Sequence, residues 1–233
     1  MSANFTANRT RADSYCNGSQ ASDEEGKYRS ALEFHRQTRA QTLAMVLELS
    51  QAQMDFARAP DKWSVGEVLD HIILGQRLNL SYIAEVTGMR RAGHRPVLRL
   101  RFEDVDVSIG YVPKSILPAL EVPFTVLNIF LPNSVRDFMT RYRLVPAQNP
   151  ELTTPRRFRS ADELRNDLIS SLKETEALLE SNADLDFSEM LIQHPLLGNN
   201  NVPGLLRFLA LHEQRHQSQI ESVLRSPGFP GSA

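Results

Sequence analysis

Two histidines four residues apart stand near the C-terminus, in the run His212-Glu213-Gln214-Arg215-His216. On an α-helix this spacing puts both imidazoles on one face about one turn apart, which makes a two-toothed clamp for a divalent ion. The surrounding apolar residues Leu205, Leu209, Ile220 and Val223 recur at intervals of three and four, and His212 and His216 fill the places the stripe leaves open. Both rings are therefore expected to point into the protein. A third inward imidazole is expected at His71, which shares a helical face with Val68, Ile72 and Leu78, with Gly75 leaving room one turn later.

Each histidine taken alone fits an ordinary core residue hydrogen-bonded to a neighbour. Three in one apolar interior are harder to satisfy, because a buried ring nitrogen without a partner is costly and a divalent cation accepts all three in their neutral form. Three neutral ligands leave an ion its full double charge and an open position, which favours an anionic fourth ligand, hydroxide or thiolate. Cys16 is the only cysteine, so a thiol mechanism must import its sulfur from a small molecule. Glu213 is a candidate catalytic base. One step along a helix turns a side chain by about 100°, however, so a solvated salt bridge competes with that role.

The His-Glu-x-x-His string also opens a zinc-protease signature, in which Glu213 acts on a metal-held water. Its extended form needs Gly at position 219 and His at 222, where Gln219 and Ser222 stand. A third ligand is therefore expected upstream, at His71. Two classes of function stay open: a metal-dependent transferase or hydrolase acting on a small-molecule substrate, and a non-catalytic bundle in which the ion stabilises the fold or a partner interface. His194, before Pro195, reads as a loop histidine that either flanks the pocket or has no role. His35, among Arg36, Gln37 and Arg39, reads as solvated. Arg90, Arg91, His94, Arg95, Arg99 and Arg101 form a basic cluster, either a surface charge run or a site for an anionic substrate.

The elements that must carry these residues follow from periodicity and end signals. Residues 28–57 lack Gly and Pro and read as a first helix. Ser64 and Glu67 form a capping-box pattern that starts a second helix running to Thr87, with Gly88 as its stop. Ser160 and Glu163 repeat that pattern for a third helix ending near Ser181. Gly198-Asn199-Asn200-Asn201 reads as a turn, and a fourth helix starts at Val202 or Pro203 and runs to about Arg225. The intervening residues 88–159 hold most of the prolines and read as a long crossover, with a short helix at 133–142 and an alternating stretch at 97–107 able to pair as a hairpin. The expected fold class is all-α: a four-helix bundle over residues 28–225 with a long crossover between helices two and three, a flexible N-terminal tail at 1–27 and a C-terminal tail at 226–233.

With 41% of 233 residues hydrophobic, the chain can bury one generous core. A net charge of −2 supplies no global attraction for nucleic acid or anionic lipid. The most apolar window, 116–131, is interrupted by Pro118 and Pro123, so no membrane span is expected; the segment suits a cover for the bundle, a pocket wall or a homodimer contact. The single cysteine excludes an intramolecular disulfide and makes a cytoplasmic location the default expectation.

The chain resembles the DinB/YfiT-like superfamily of helical bundles. The resemblance rests on Lys62-Trp63-Ser64-Val65-Gly66-Glu67-Val68-Leu69-Asp70-His71, on His194-Pro195-Leu196-Leu197-Gly198, and on Leu209 through Ile220 with its paired histidines. It implies metal ligands at His71, His212 and His216, with water completing the coordination of zinc or nickel. It further implies use of a low-molecular-weight thiol, such as bacillithiol, mycothiol or glutathione, by some relatives.

Overall fold

The structure is a computed structural model and describes residues 10–101, 108–109, 147–148, 151–195 and 198–231. Helix α1 spans Thr10–Val46 and is followed by a short α2, Gln51–Asp55, and by α3, Val65–Arg91. After β1 (Val97–Arg99), β2 (Ser108–Ile109) and β3 (Ala147–Gln148), a single 3-10 turn at Glu151–Thr153 leads to α4, Ala161–Glu180. The strands β4 (Leu191–His194) and β5 (Gly198–Asn201) precede α5, Val202–Leu224. The protein is mainly helical, as expected, with α1 packed on α5 and α4, and α3 packed on α4 and α5.

Local chemistry explains where the elements depart from the expected ones. Helix α1 begins at Thr10, upstream of the expected Tyr28, and the single helix expected over 28–57 is divided. Arg165, from α4, donates to the carbonyls of Val46 (3.1 Å) and Leu49, satisfying the open end of α1. Ser50 and Gln53 then form a reciprocal capping box that starts α2. Gly66 lets α3 approach it closely: a Cβ there would lie 3.3 Å from the Met54 carbonyl oxygen and 3.4 Å from Leu164 Cδ1.

The capping box at Ser64 and Glu67 forms as the sequence indicates. Gly88, in contrast, is interior to α3. The helix closes four residues later in a Schellman arrangement, with His94 N–H donating to Met89 (2.9 Å) and Gly93 N–H to Arg90 (3.1 Å), and Gly93 at φ 74°. Ser160 caps α4 without a side-chain bond; the Gln51 amide oxygen instead accepts from Ala161 N–H at 2.8 Å. Asn201 caps α5 by accepting from Gly204 N–H at 2.9 Å.

The alternation at 97–107 does not fold back on its neighbour where it is described. β1 pairs in parallel with β4, Val97 opposite Leu191, and β4 pairs antiparallel with β5, His194 opposite Gly198. Gly198–Asn201 is therefore a strand rather than a turn, and His194 ends a strand rather than lying in a loop. β2 and β3 make a separate antiparallel pair. The helix expected at 133–142 and the apolar window 116–131 lie outside the described residues. Among the described residues, no helix is long and apolar enough to cross a membrane. At the C-terminus Phe229 packs edge-on against Phe56, and the Pro230 carbonyl accepts from Gln53 at 3.0 Å.

Two apolar clusters fill the bundle. One gathers Leu32, Ile83, Leu179, Leu205 and Leu206 with Phe187, Met190 and Ile192 at the sheet; the other gathers Val46, Met54, Leu69, Ile73, Leu168, Ile220 and Val223. Between these sets, on the four long helices of the described residues, falls one buried polar layer: Arg39 and Thr42 on α1, Gln76 on α3, Ser171 and Thr175 on α4, and Glu213 on α5.

Candidate metal centre

His71 lies near the start of α3, and His212 and His216 lie one turn apart on α5. Packing of α3 against α5 brings the three together, with one ligating nitrogen from each ring and all of these within 4.8 Å of one another. The ring centroids are 4.5 to 5.3 Å apart. His71 and His216 are buried, and His212 retains partial exposure. Among the described residues no fourth histidine, cysteine or carboxylate joins the cluster.

Hydrogen bonds to the outer nitrogens fix the tautomers of His71 and His216. The Thr153 carbonyl can only accept, so the 2.8 Å contact makes His71 Nδ1 the protonated nitrogen and leaves a lone pair on Nε2. That Nε2 is buried and has no hydrogen-bond partner. Gln219 Oε1 does the same for His216, accepting from Nδ1 at 3.0 Å, and His216 Nε2 then faces His212 Nε2 at 3.2 Å. Two ligands about 2.0 to 2.1 Å from a tetrahedral ion lie about 3.3 Å apart, so this separation fits one edge of such a site. Ligating histidines tied through the opposite nitrogen to a carbonyl or amide are the usual outer arrangement of a metal centre.

The electrostatics keep the rings unprotonated. Burial, foremost, holds His212 and His216 well below the ordinary imidazole range, and the neighbouring imidazoles and the Arg215 charge add to it. Burial also lowers His71; the Thr153 bond works against that shift, and Arg215 reinforces it. Neutral imidazole is the form that binds a cation. Arg215 Nη2 approaches His216 Nε2 to 3.3 Å. Aromatic rings flank the group, Trp63 with its centroid 5.0 Å from His71 and Phe208 stacked 5.8 Å from His212.

The segment that supplies the Thr153 carbonyl is held to α3 by Asp70, the residue before His71. Asp70 is fully buried and accepts from the Arg156 backbone N–H (2.7 Å) and from Arg159 Nη1 (2.8 Å). Burial opposes its ionisation, yet these Arg156 and Arg159 contacts hold its carboxyl below the usual range.

Glu213 does not join the histidines. It is 1% exposed and accepts from Arg39 Nε (2.8 Å) and Nη2 (3.0 Å) and from Thr42 Oγ1 (2.6 Å), so its salt bridge is buried rather than solvated. Burial works against its charge, but Arg39 and His35 overcome that and set its carboxyl at about 2. His35 is fully buried, not solvated, with Nε2 3.5 Å from Glu213 Oε2. His194 is half-buried and lies outside the cluster. Within the basic cluster, Arg90 pairs with Glu189 and Arg91 with Asp184, which offsets part of its charge.

Sequence reasoning located the three histidines but passed over the groups that orient them. Gln219, three residues after His216, has the helical spacing to reach it and was legible on that ground. Thr153 acts through a backbone carbonyl, which no side-chain pattern announces. A model of the DinB superfamily matches residues 35–220 of the chain. No curated protein and no solved structure matches it.

Proposed function

The chain belongs to the DinB superfamily, and on that premise we propose that it is a metal-dependent enzyme that holds one divalent ion, zinc or nickel, through Nε2 of His71, His212 and His216. The carrying observation is the His71 Nε2 lone pair, buried without a partner and aimed at two further neutral imidazoles. An uncompensated polar atom of this kind costs about 1 to 3 kcal/mol, and a cation at the cluster removes the penalty. The donor set of three found among the described residues supports catalysis over a purely structural ion, because a structural site is normally closed by a fourth protein ligand.

A divalent ion here would supply Lewis-acid activation of water or of a low-molecular-weight thiol, which suits a hydrolase or an S-transferase acting on a small molecule in the cytoplasm. The chain's own contribution is positional. Thr153 and Gln219 hold the outer nitrogens of His71 and His216 protonated and their inner ones free, and Trp63 lies against His71 and Phe208 against His212. Glu213, engaged with Arg39, serves as a positioning residue that fixes α5 against α1, in place of a catalytic base.

The test is elemental analysis of tag-free protein, wild type beside His71→Ala, His212→Ala and His216→Ala, each reloaded with zinc and with nickel after chelation. Near-stoichiometric metal in the wild type and its loss in all three variants is expected. Equal metal content across the four proteins rejects the centre. Thermal shift with a panel of small thiols on the loaded wild type then addresses the transferase, since a ligand of the native state raises Tm.

A further inference from the structure

Glu67, Asp70 and His71 stand three and four residues apart on α3, so they share one side of the helix. All three grip the segment 151–159. Glu67 accepts from Arg157 Nε at 2.9 Å, and His71 Nδ1–H donates to the Thr153 carbonyl at 2.8 Å. Asp70, fully buried between them, accepts four hydrogen bonds among the described residues, and every one comes from this segment. The donors are the Arg156 backbone N–H (2.7 Å), Arg156 Nε (3.3 Å) and Nη2 (3.2 Å), and Arg159 Nη1 (2.8 Å). Phe158, between Arg157 and Arg159, has φ 57° and is 75% exposed. A bulky residue keeps that conformation only where surrounding contacts over-determine it, so the arginines hold the backbone here under tension. The carbonyl that orients His71 ends a 3-10 turn of three residues, too short to keep its own place. Its position therefore depends on the side chains that fasten the segment.

We propose that Asp70 is a positioning residue for the metal centre: by fastening residues 151–159 along α3 it fixes the Thr153 carbonyl, and through it the tautomer and aim of His71. The consequence for metal affinity rests on the metal reading above; the hold on the His71 ring does not. Partners of a ligand's outer nitrogen are worth about 10- to 100-fold in metal affinity, and Asp70 acts one contact further out, at the lower end of that range. A rival account gives Asp70 only the attraction of its charge for a nearby cation. The two accounts part at Arg159. Removing this positive charge should strengthen cation binding if the field alone matters, and weaken it if the grip matters.

The experiment compares the full chain as wild type, Asp70→Asn and Arg159→Met at neutral pH, with folding checked by circular dichroism. In chelator, the His71 tautomer is read from the nitrogen shifts of 15N-histidine-labelled protein, assigned against His71→Ala. Zinc affinity is then read by competition with a chromophoric chelator. Wild type should show one Nδ1–H tautomer, and both variants should lose it. Zinc should bind about 10-fold more weakly to Asp70→Asn and about threefold more weakly to Arg159→Met, in which the Arg156 bonds persist. The wild-type tautomer retained in Asp70→Asn overturns the proposal, whether or not stability or affinity falls. Arg159→Met binding zinc as tightly as wild type, or more tightly, overturns it as well and assigns the effect to charge. Should Asp70→Asn fail to fold, Arg159→Met decides by the same two readouts. A wild type that takes up no zinc rejects the metal centre, while the tautomer in chelator still decides the role of Asp70.

Discussion

Replacing Glu213 by Gln keeps the shape of the side chain and removes its charge, leaving the Arg39 guanidinium, 1% exposed, without a counter-charge. Arg39 would retain only neutral partners: the Leu168 carbonyl, Ser171 Oγ at 3.1 Å and Gln76 Oε1 at 3.3 Å. Breaking one side of a buried ion pair costs about 3 to 5 kcal/mol, and these neutral acceptors place the expected loss near the lower end, at about 3 kcal/mol. Arg39→Met should cost a similar amount by stranding the carboxylate. The double variant should cost at least about 2 kcal/mol less than the sum of the two, since each single change already forfeits the shared interaction. Urea unfolding followed by circular dichroism measures all three, at constant slope and in the presence of chelator so that metal linkage does not enter. Single losses below about 1 kcal/mol, or additive losses in the double variant, would refute the assignment of Glu213 to the polar layer and reopen its role as a base.

Gln219→Ala removes the acceptor that orients His216 and is expected to weaken metal affinity by about 10-fold, read by competition with a chromophoric chelator; unchanged affinity would dismiss this contact. Gly88→Ala should stabilise the protein by about 0.5 to 1 kcal/mol in thermal unfolding, because Gly88 is an exposed interior position of α3 and a Cβ there meets nothing within 4 Å. A loss of stability would mean that the helix ends there after all. Burial works against the charge of Asp167, but Arg159 and Arg77 hold its carboxyl below its ordinary value. Its contribution is therefore present above the unfolded value near 3.8 and is lost as pH falls through the lower folded one. Asp167→Asn should cost about 0.5 to 1 kcal/mol at pH 7, discounted for its partial exposure, and the gap in Tm between variant and wild type should close as the pH falls below that range.

What the sequence disclosed is what one helix decides by itself. The four-residue spacing of His212 and His216 and their places in an apolar stripe are properties of α5 alone, as the box at Ser64 and Glu67 is of α3. What it concealed depends on distant partners. The end of α1 at Val46 is satisfied by Arg165, more than a hundred residues away, so the helix-forming run through 57 gave no hint of the break. The start of α4 similarly borrows Gln51 in place of its own Ser160. His35 looked solvated because its neighbours are charged, yet Arg39 is itself turned inward to Glu213, and the polar character that suggested water belongs to the middle of the bundle. Gly198–Asn201 has turn composition, but pairing with β4 settles its backbone as strand.

The protein has a single tryptophan, Trp63, and its ring centroid lies 5.0 Å from that of His71 and 6.4 Å from that of His216. Its emission therefore originates at the edge of the histidine group and from nowhere else in the chain. A paramagnetic ion seated there would quench that light by contact, so occupancy can be followed in the unlabelled protein, in real time, with no engineered reporter.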